Sequence, residues 1–327
     1  LVYWDELIDE LKGEDDETLK TVGMARYAKE SMEDLDLTGD HKIAVIHAQG
    51  TIMGRVNGVN PMLGITMGHE TIRAELERAR RDEEIAAVIL RVDSPGGDAL
   101  GSDLMGREVE VTAGVKPVVV SMVDVAASGG YHISYRATRI LASPMTATGS
   151  IGSISGKFNL APLHAKLGIT HDFVTRGPSA LLNSSYTDYT EEERARFEED
   201  HWNGFNHWLR DVSEHRGMDF EKAESLAHGR VWTGRQAVQN GLADQLGGLD
   251  DAVAAAKELA EIPADEDVTL LHYPEKKSLF QTLTGGGEDT AIGARWLVHR
   301  ELRREMNRTL EMLEHELAAQ ELGIVRD

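Results

Sequence analysis

The chain of 327 residues contains no cysteine, which excludes disulfides, thiolate catalysis and cysteine-ligated metal sites. It also lacks any run of about 18 apolar residues, so the sequence predicts no membrane-spanning helix. Basic residues are fewer than acidic ones: the chain has 34 lysines and arginines and 56 aspartates and glutamates, which gives a net charge of −22. Because nucleic-acid binding neutralises phosphates with basic side chains, we expect no nucleic-acid partner. The sequence indicates neither a cofactor nor a metal site.

The remaining sequence alternates between short apolar runs and amphipathic segments. A near-continuous apolar run at 85–92 predicts a strand buried on both faces of a parallel sheet. Residues 41–47 predict another strand, and 117–122 predict a buried strand. Helices are predicted over 70–81, 102–112 and 191–215, and a further strand over 171–175. Alternation of this kind predicts an α/β fold with parallel crossovers.

The two ends of the chain differ from its middle. Residues 1–40 are polar and predict a helical lead-in, and 41–262 carry the alternating pattern. Residues 263–327 are predicted to form a C-terminal extension, with a glycine hinge at 285–287 and a long amphipathic helix over 292–322. Acidic residues on that helix favour packing or oligomerisation over a membrane surface. Because the chain starts at Leu1 without a signal peptide, we expect a processed or partial product.

The most informative position is Ser128, which follows a predicted strand and precedes a predicted helix over 131–137. Its neighbours are alanine and glycine, which leave its hydroxyl accessible. The N–H groups and positive dipole of a helix start would stabilise an oxyanion formed there. Taken alone, however, Ser128 fits an ordinary helix N-cap better.

A second glycine-rich turn, Ser94–Gly97, ends the strand predicted over 85–92. Parallel strands end at the same edge of a sheet, so this turn is expected to face the Ser128 turn. One amide from each turn, from Gly96 or Gly97 and from Gly129, would then form an oxyanion hole.

Five motifs occur in an order that resembles a known family. They are Asp93–Gly97 (DSPGG), Ala126–Tyr131 (AASGGY), Thr148–Gly152 (TGSIG), Gly229–Ala237 (GRVWTGRQA) and Gly241–Asp244 (GLAD). Over about 41–258 the chain resembles the S49 serine peptidases of the signal peptide peptidase A, or protease IV, type. The resemblance implies a ClpP/crotonase-like α/β fold of repeated β-β-α units around a parallel sheet, here with a helical C-terminal extension. It identifies 41–262 as the peptidase-like domain and 1–40 as the possible tail of an upstream repeat.

The resemblance also implies a catalytic Ser/Lys dyad. Ser128 would be the nucleophile, Ser150 would orient the lysine amine, and Gly96, Gly97 and Gly129 would supply the oxyanion hole. The lysine itself is missing, because Ala180 stands at its expected position. Lys157 and Lys166 are expected to be surface lysines. None of the 13 histidines stands in a recognisable relation to Ser128, and His132 is expected to point elsewhere.

Two explanations for the missing lysine remain open. In long members of the family two copies are fused, with the serine on the second and the lysine on the first, and this chain would be the second copy. Alternatively, Ala180 replaces the lysine of a short member. The implied function is degradation of short apolar peptides, such as cleaved signal peptides, by a homo-oligomer or together with an upstream repeat. The implied location is the periplasmic or extracytoplasmic face of the inner membrane, with membrane association through segments outside this chain.

Two other functions are compatible with the same fold. One is a crotonase-like acyl-CoA enzyme. Against it, no Glu or Asp near the glycine-rich turns stands in the usual acid/base setting, and the sequence has no basic patch to bind adenine. The other is a non-catalytic subunit that only binds peptides.

Overall fold

A computed structural model describes residues 39–274, which form eleven strands and eight helices. The strands are β1 (His41–Gln49), β2 (Thr51–Ile52), β3 (Gly58–Asn60), β4 (Gly64–Met67), β5 (Ile85–Ser94), β6 (Val118–Ala127), β7 (Arg139–Ala142), β8 (Ala147–Gly149), β9 (Val231–Thr233), β10 (Gln245–Leu246) and β11 (Val268–Tyr273). The helices are α1 (His69–Arg81), α2 (Ala99–Ala113), α3 (Gly129–His132), α4 (Ala161–Lys166), α5 (Glu191–His215), α6 (Phe220–Leu226), α7 (Gly234–Asn240) and α8 (Leu249–Leu259). The predicted glycine hinge and the long C-terminal helix lie outside the described residues, as does nearly all of the N-terminal lead-in.

The main sheet is parallel and has the strand order β10-β7-β6-β5-β1-β11. The C-terminal end of β6, after the residues that pair with β7, pairs in parallel with β8. Strand β8 in turn pairs antiparallel with β9. A small second sheet, β2-β4-β3, lies beside it, and Ile52 of β2 forms a bridge to Gly97. The α/β class with a parallel sheet, predicted from the alternating pattern, is confirmed.

Helices cover both faces of the main sheet. On one face, α8 buries Ala252 and Ala256 against Ile43 and Val119 of the sheet. On the other, α1 buries the predicted stripe of Ile72, Leu76 and Ala79 in a larger core that also includes residues of α2 and α5. Burial on both faces explains why the central strands read as apolar runs without alternation.

The long helix α5 starts where its sequence provides a capping box. The N–H of Glu193 donates to Thr190 Oγ1 at 3.1 Å, and the N–H of Thr190 donates to Glu193 Oε2 at 2.9 Å. These two bonds satisfy backbone donors that the first turn of a helix leaves without partners. The start of α5 matters because its middle forms one wall of the candidate site.

Three expectations differ from the structure. The strand predicted over 171–175 is wrong, because this stretch is irregular and exposed, with no neighbouring strand to pair its backbone groups. The helix predicted over 131–137 begins at Gly129 and ends at His132, followed by turns. The sheet also continues past residue 262, where the sequence placed the end of the peptidase-like domain, because β11 pairs with β1.

Within 39–274, no helix has the length and hydropathy needed to cross a membrane.

Candidate active site

Ser128 occupies a strained turn between β6 and α3. Its φ of 52° and ψ of −117° are unusual for a residue with a side chain, and such conformations cost roughly 1–3 kcal/mol. Its N–H donates to the Gly149 carbonyl at 2.9 Å, and its own carbonyl accepts from the His132 N–H at 2.9 Å. The hydroxyl makes no capping hydrogen bond. Ser128 therefore holds the N-cap position of α3 without acting as an N-cap, and its hydroxyl remains free for chemistry.

Glycine is required directly beside Ser128. A Cβ on Gly129 would lie 2.4 Å from Ser102 Oγ, and one on Gly130 would lie 2.5 Å from the Ser94 carbonyl oxygen. Because real side chains do not approach this closely, only glycine allows α3 to pack against these neighbours.

The two glycine-rich turns meet, as their places at the ends of neighbouring strands predict. A Cβ on Gly96, whose φ is +95°, would lie 2.5 Å from the Gly129 nitrogen and 2.9 Å from Ser128 Cβ. The Gly96 turn is therefore in van der Waals contact with the serine turn. Its approach depends on the missing side chain.

The backbone amides of these turns are not equivalent. The Gly96 N–H donates to Ser94 Oγ at 3.2 Å, so it already has a partner. Among residues 39–274, the amides of Gly97 and Gly129 donate no hydrogen bond. Of the three predicted oxyanion donors, Gly97 and Gly129 are therefore the two that are free.

Ser150 is held close to Ser128 by the pairing of β6 with β8. Ala127 pairs with Gly149, the residue before Ser150. The Ser150 N–H donates to the Arg230 carbonyl at 2.8 Å, and the φ of Ser150 is 48°. Ser128 and Ser150 are thus each the residue directly after a paired strand position, and both line the same groove.

This groove has a volume of about 1440 Å³ and is open to solvent. Besides Ser128 and Ser150, it is lined by Gly97 and Gly129, the residues whose amides are free. Much of its wall is apolar and comes from four parts of the chain: Ile52, Leu100, Ile154, Trp202 and Phe205. Its dimensions and lining suit a peptide better than a small polar molecule.

No lysine of the described residues lines this groove. Lys157 lies with Nζ 3.4 Å from the Leu181 carbonyl oxygen and 4.2 Å from the centre of the Tyr189 ring. Lys166 is an exposed residue of α4, and Ala180 lies exposed in a turn. Within the part of the chain that the structure describes, no lysine therefore lies in the groove beside Ser128.

A polar cluster at one end of the groove was missed from the sequence. His132 was expected to point elsewhere, yet it lines the same groove as Ser128. Its ring stacks on Trp208 at 4.9 Å between centroids, and its Nε2 lies 3.4 Å from Asp103 Oδ1. The signal was available, because residues four apart on a helix share a face.

The cluster is largely buried and its titration is shifted accordingly. Burial lowers the pKa of the His132 imidazole, against the opposing effect of Asp103. The contact with His132 lowers the pKa of the Asp103 carboxyl, and the charge of Arg136 adds to this. Arg136 itself is buried and forms an ion pair with Asp211 on α5. The cluster therefore joins α2, the turns after α3 and α5 through charged contacts.

We expect the free energy of unfolding to decrease as the pH falls below about 6.5, the ordinary pKa of histidine. The folded-state pKa of His132 is lowered, so between the two pKa values the unfolded chain binds more protons, and stability rises with pH. Replacing His132 by Phe should reduce this slope, measured by urea unfolding between pH 7 and pH 5. His164→Phe, at a histidine outside the groove, is the control. Equal slopes in His132→Phe and the unaltered chain would contradict the assignment.

The fold and the turn together define a class of protein. A strained serine at a strand-to-helix turn of a parallel sheet, in one groove with two free glycine amides, is an arrangement typical of enzymes with a serine nucleophile. Residues 110–263 match the family model for Peptidase family S49.

Curated relatives agree with this match. The "Serine protease SPPA, chloroplastic" of Arabidopsis thaliana is 38% identical over 297 residues, covering 89% of this chain and 44% of that protein. The "Putative signal peptide peptidase SppA" of Enterococcus faecium is 32% identical, covering 63% of this chain and 59% of that protein. The "Putative protease slr0021" of Synechocystis is 32% identical, covering 66% of this chain and 78% of that protein.

The chain belongs to peptidase family S49, as its motifs indicate. It spans about half the length of the plant and Enterococcus relatives. Among solved structures, a serine-to-alanine mutant of the 1510-N membrane-bound stomatin-specific protease matches with a TM-score of 0.47 at 14% identity, covering 72% of this chain and 99% of that one.

Proposed function

We propose that this chain is the serine-bearing part of an endopeptidase that works through an acyl-enzyme. The observation that carries the proposal is the uncapped Ser128 hydroxyl in a turn that carries the free Gly129 amide and contacts the Gly96 turn, which carries the free Gly97 amide. A nucleophile beside two unpaired N–H donors is what acyl transfer needs, because negative charge develops on the substrate carbonyl oxygen.

The proposed reaction uses these groups together with a lysine from another copy. Ser128 Oγ attacks the scissile carbonyl carbon while a neutral lysine amine takes the hydroxyl proton. The amides of Gly97 and Gly129 then bind the oxyanion of the tetrahedral intermediate. Collapse of this intermediate breaks the C–N bond, and the lysine returns the proton to the leaving amine. Water, activated by the same amine, hydrolyses the ester and frees Ser128.

The base is proposed to come from another copy of the fold, upstream in the same polypeptide or on a second subunit. A free lysine has a pKa near 10.4 and is almost fully protonated at neutral pH, so the amine must be desolvated to act as a base. Ser150 is proposed to orient it. The chain covers 44% of the plant relative, so that protein is long enough to hold a second copy, which supports the proposal. Substitution of the lysine by Ala180 is the alternative.

A surface suited to that copy lies beside the groove. The segment over residues 153–189, which we call the projecting segment, contains only the short helix α4, and α4 buries none of its residues. Large apolar side chains on it are exposed, among them Ile154, Phe158, Leu167 and Val174. Ile154 also lines the groove, so a partner on this surface would reach the active site. These exposed apolar side chains support the proposal that the projecting segment is a protein interface.

We expect Phe158→Glu combined with Val174→Glu to abolish association with another copy. These side chains are 85% and 104% exposed, so the substitutions place charge in the interface without disturbing the core. Light scattering after size-exclusion chromatography measures the mass. Val115→Glu, at an apolar residue 64% exposed outside this segment, is the matched control. An unchanged oligomer in the double variant would contradict the proposal.

The proposed substrates are short apolar peptides, including cleaved signal peptides, which the name of the Enterococcus relative mentions. The apolar groove wall supports this class. A peptide bound in extended form would pair its main chain with the Gly97 turn. It would lie on the side of this turn opposite β2, whose Ile52 already forms a bridge to Gly97. We also propose the extracytoplasmic face of the inner membrane as the place of action.

Reaction of the assembled protein with a fluorophosphonate, followed by peptide mapping, tests the function. An adduct on Ser128 supports the proposal. An adduct on another serine, such as Ser150, overturns the assignment of the nucleophile. No adduct at all would favour a non-catalytic peptide-binding subunit.

A further inference from the structure

Ser94 is a fully buried serine between two turns of the candidate site, and the proposed reaction gives it no role so far. It is 0% exposed. Its Oγ donates to the Gly50 carbonyl at 2.7 Å and accepts from the Gly96 N–H at 3.2 Å. Because the hydroxyl both donates and accepts, it links the turn between β1 and β2 to the Gly96 turn.

Backbone hydrogen bonds extend this link along both segments. The Ile52 N–H donates to the Gly96 carbonyl, and the Ile52 carbonyl accepts from the Asp98 N–H, each at 2.9 Å. The Gly50 N–H donates to the Asp93 carbonyl at 2.9 Å. Residues 50–52 and 93–98 are thus joined over their whole length, with the Ser94 hydroxyl as the side-chain contribution.

These bonds determine where the Gly97 amide points. The Gly96 carbonyl and the Gly97 N–H belong to one trans peptide unit and point in opposite directions. Because the Gly96 carbonyl accepts from the Ile52 N–H, the Gly97 N–H points away from Ile52, and Gly97 lines the groove. Losing the Ser94 hydroxyl would leave the Gly96 N–H without its partner, so the peptide unit next to the one that carries the Gly97 amide would be held less firmly.

Ser94 also contacts the nucleophile turn. A Cβ on Gly130 would lie 2.5 Å from the Ser94 carbonyl oxygen and 3.3 Å from Ser94 Cβ. In the sheet, Ser94 pairs with Ala126, two residues before Ser128. One residue therefore touches both halves of the site.

We propose that Ser94 is a positioning residue, whose hydroxyl holds the Gly97 amide in place relative to Ser128 Oγ. This inference rests on the proposed function. It differs from a plain stability role because the bond shapes an amide that acts only in the transition state.

The test is the kinetics of fluorophosphonate inactivation of Ser94→Ala in the assembled protein. We expect the inactivation rate constant at saturation to decrease about 10- to 100-fold, with the probe's affinity within about twofold of the unaltered value. Ser121→Ala is the matched control, since Ser121 is also 0% exposed and accepts a hydrogen bond from Arg91 Nη1 at 3.1 Å, in the middle of β6. The control should keep the full rate at a similar loss of thermal stability.

Ser94→Cys separates the hydroxyl from the volume it fills. A thiol has a similar size and forms only weak hydrogen bonds, so this variant should fold and remain slow. Full rate in Ser94→Cys, or in a folded Ser94→Ala, would overturn the proposal.

Hydrogen exchange gives a readout that does not need activity. We expect the amides of Gly96 and Asp98 to exchange faster in Ser94→Ala and to be unchanged in Ser121→Ala. Unchanged exchange in Ser94→Ala would refute the role of Ser94 in holding the turn. Absence of an adduct on Ser128 in the unaltered protein would instead refute the proposed function.

Discussion

Peptide hydrolysis by the assembled protein should decrease about 10⁴- to 10⁶-fold when Ser128 is replaced by Ala, because in the proposed reaction Ser128 forms the acyl-enzyme. Binding of a peptide should persist, since the groove wall and the glycine amides remain. Thermal stability should be equal or higher, because alanine removes nothing that is hydrogen-bonded: the Ser128 side chain makes no capping bond.

The matched control is Ser153→Ala, a serine of the same groove whose Oγ lies 3.4 Å from His201 Nε2. It should retain most of the hydrolysis rate. Measuring the rate with a fluorogenic apolar peptide, alongside peptide affinity by fluorescence polarisation, separates chemistry from binding. Substantial hydrolysis by Ser128→Ala would exclude this serine as the nucleophile.

Replacement of Gly96 by Ala should lower the hydrolysis rate by about 10²- to 10³-fold, comparable to the loss of one oxyanion donor. The added Cβ would lie 2.5 Å from the Gly129 nitrogen, so the two turns must separate and the Gly129 amide must move. The φ of +95° at Gly96 adds backbone strain. The rate constant should decrease more than the peptide affinity, because the oxyanion exists only along the reaction path.

Gly64→Ala is the control for strain alone. Gly64 has a φ of +75°, and a Cβ there meets nothing within 4 Å. This variant incurs the conformational cost of a positive φ, about 1 kcal/mol, and leaves the site intact. Comparable rates in Gly96→Ala and Gly64→Ala would show that contact between the two turns does not set the geometry of the reaction.

The central strands and helices were predictable because their hydrophobic patterns are local. The runs ending near Val92 and Met122 each predict a strand, and the turns that follow them carry the glycines and Ser128. The pairing of parallel strands then brings these turns to one edge, which is a general property of such sheets. This much of the site needs only short stretches of sequence.

The remainder depends on contacts between distant segments. The cluster of His132, Asp103 and Trp208 combines residues of three helices, and no local pattern shows how α2, α3 and α5 pack. The strand predicted over 171–175 is wrong for a related reason, because the apolar Phe173 and Val174 suggest burial without showing which segment would cover them. Among the described residues, no other segment buries this stretch, which is exposed along its whole length. The hydrogen bond from Ser94 to Gly50 joins residues 44 positions apart in the sequence, so no local pattern could predict it either.

The pairing of β11 with β1 has a practical consequence for anyone who shortens this protein. A fragment ending at residue 262 would lose β11, and β1 would become the edge of the sheet along the positions where it pairs with Val268–Tyr273. Four consecutive residues of β1, Ile43–Ile46, are buried. Such a strand, with its N–H and C=O groups unpaired, is a template for aggregation. Soluble fragments of this domain should therefore extend at least to Tyr273.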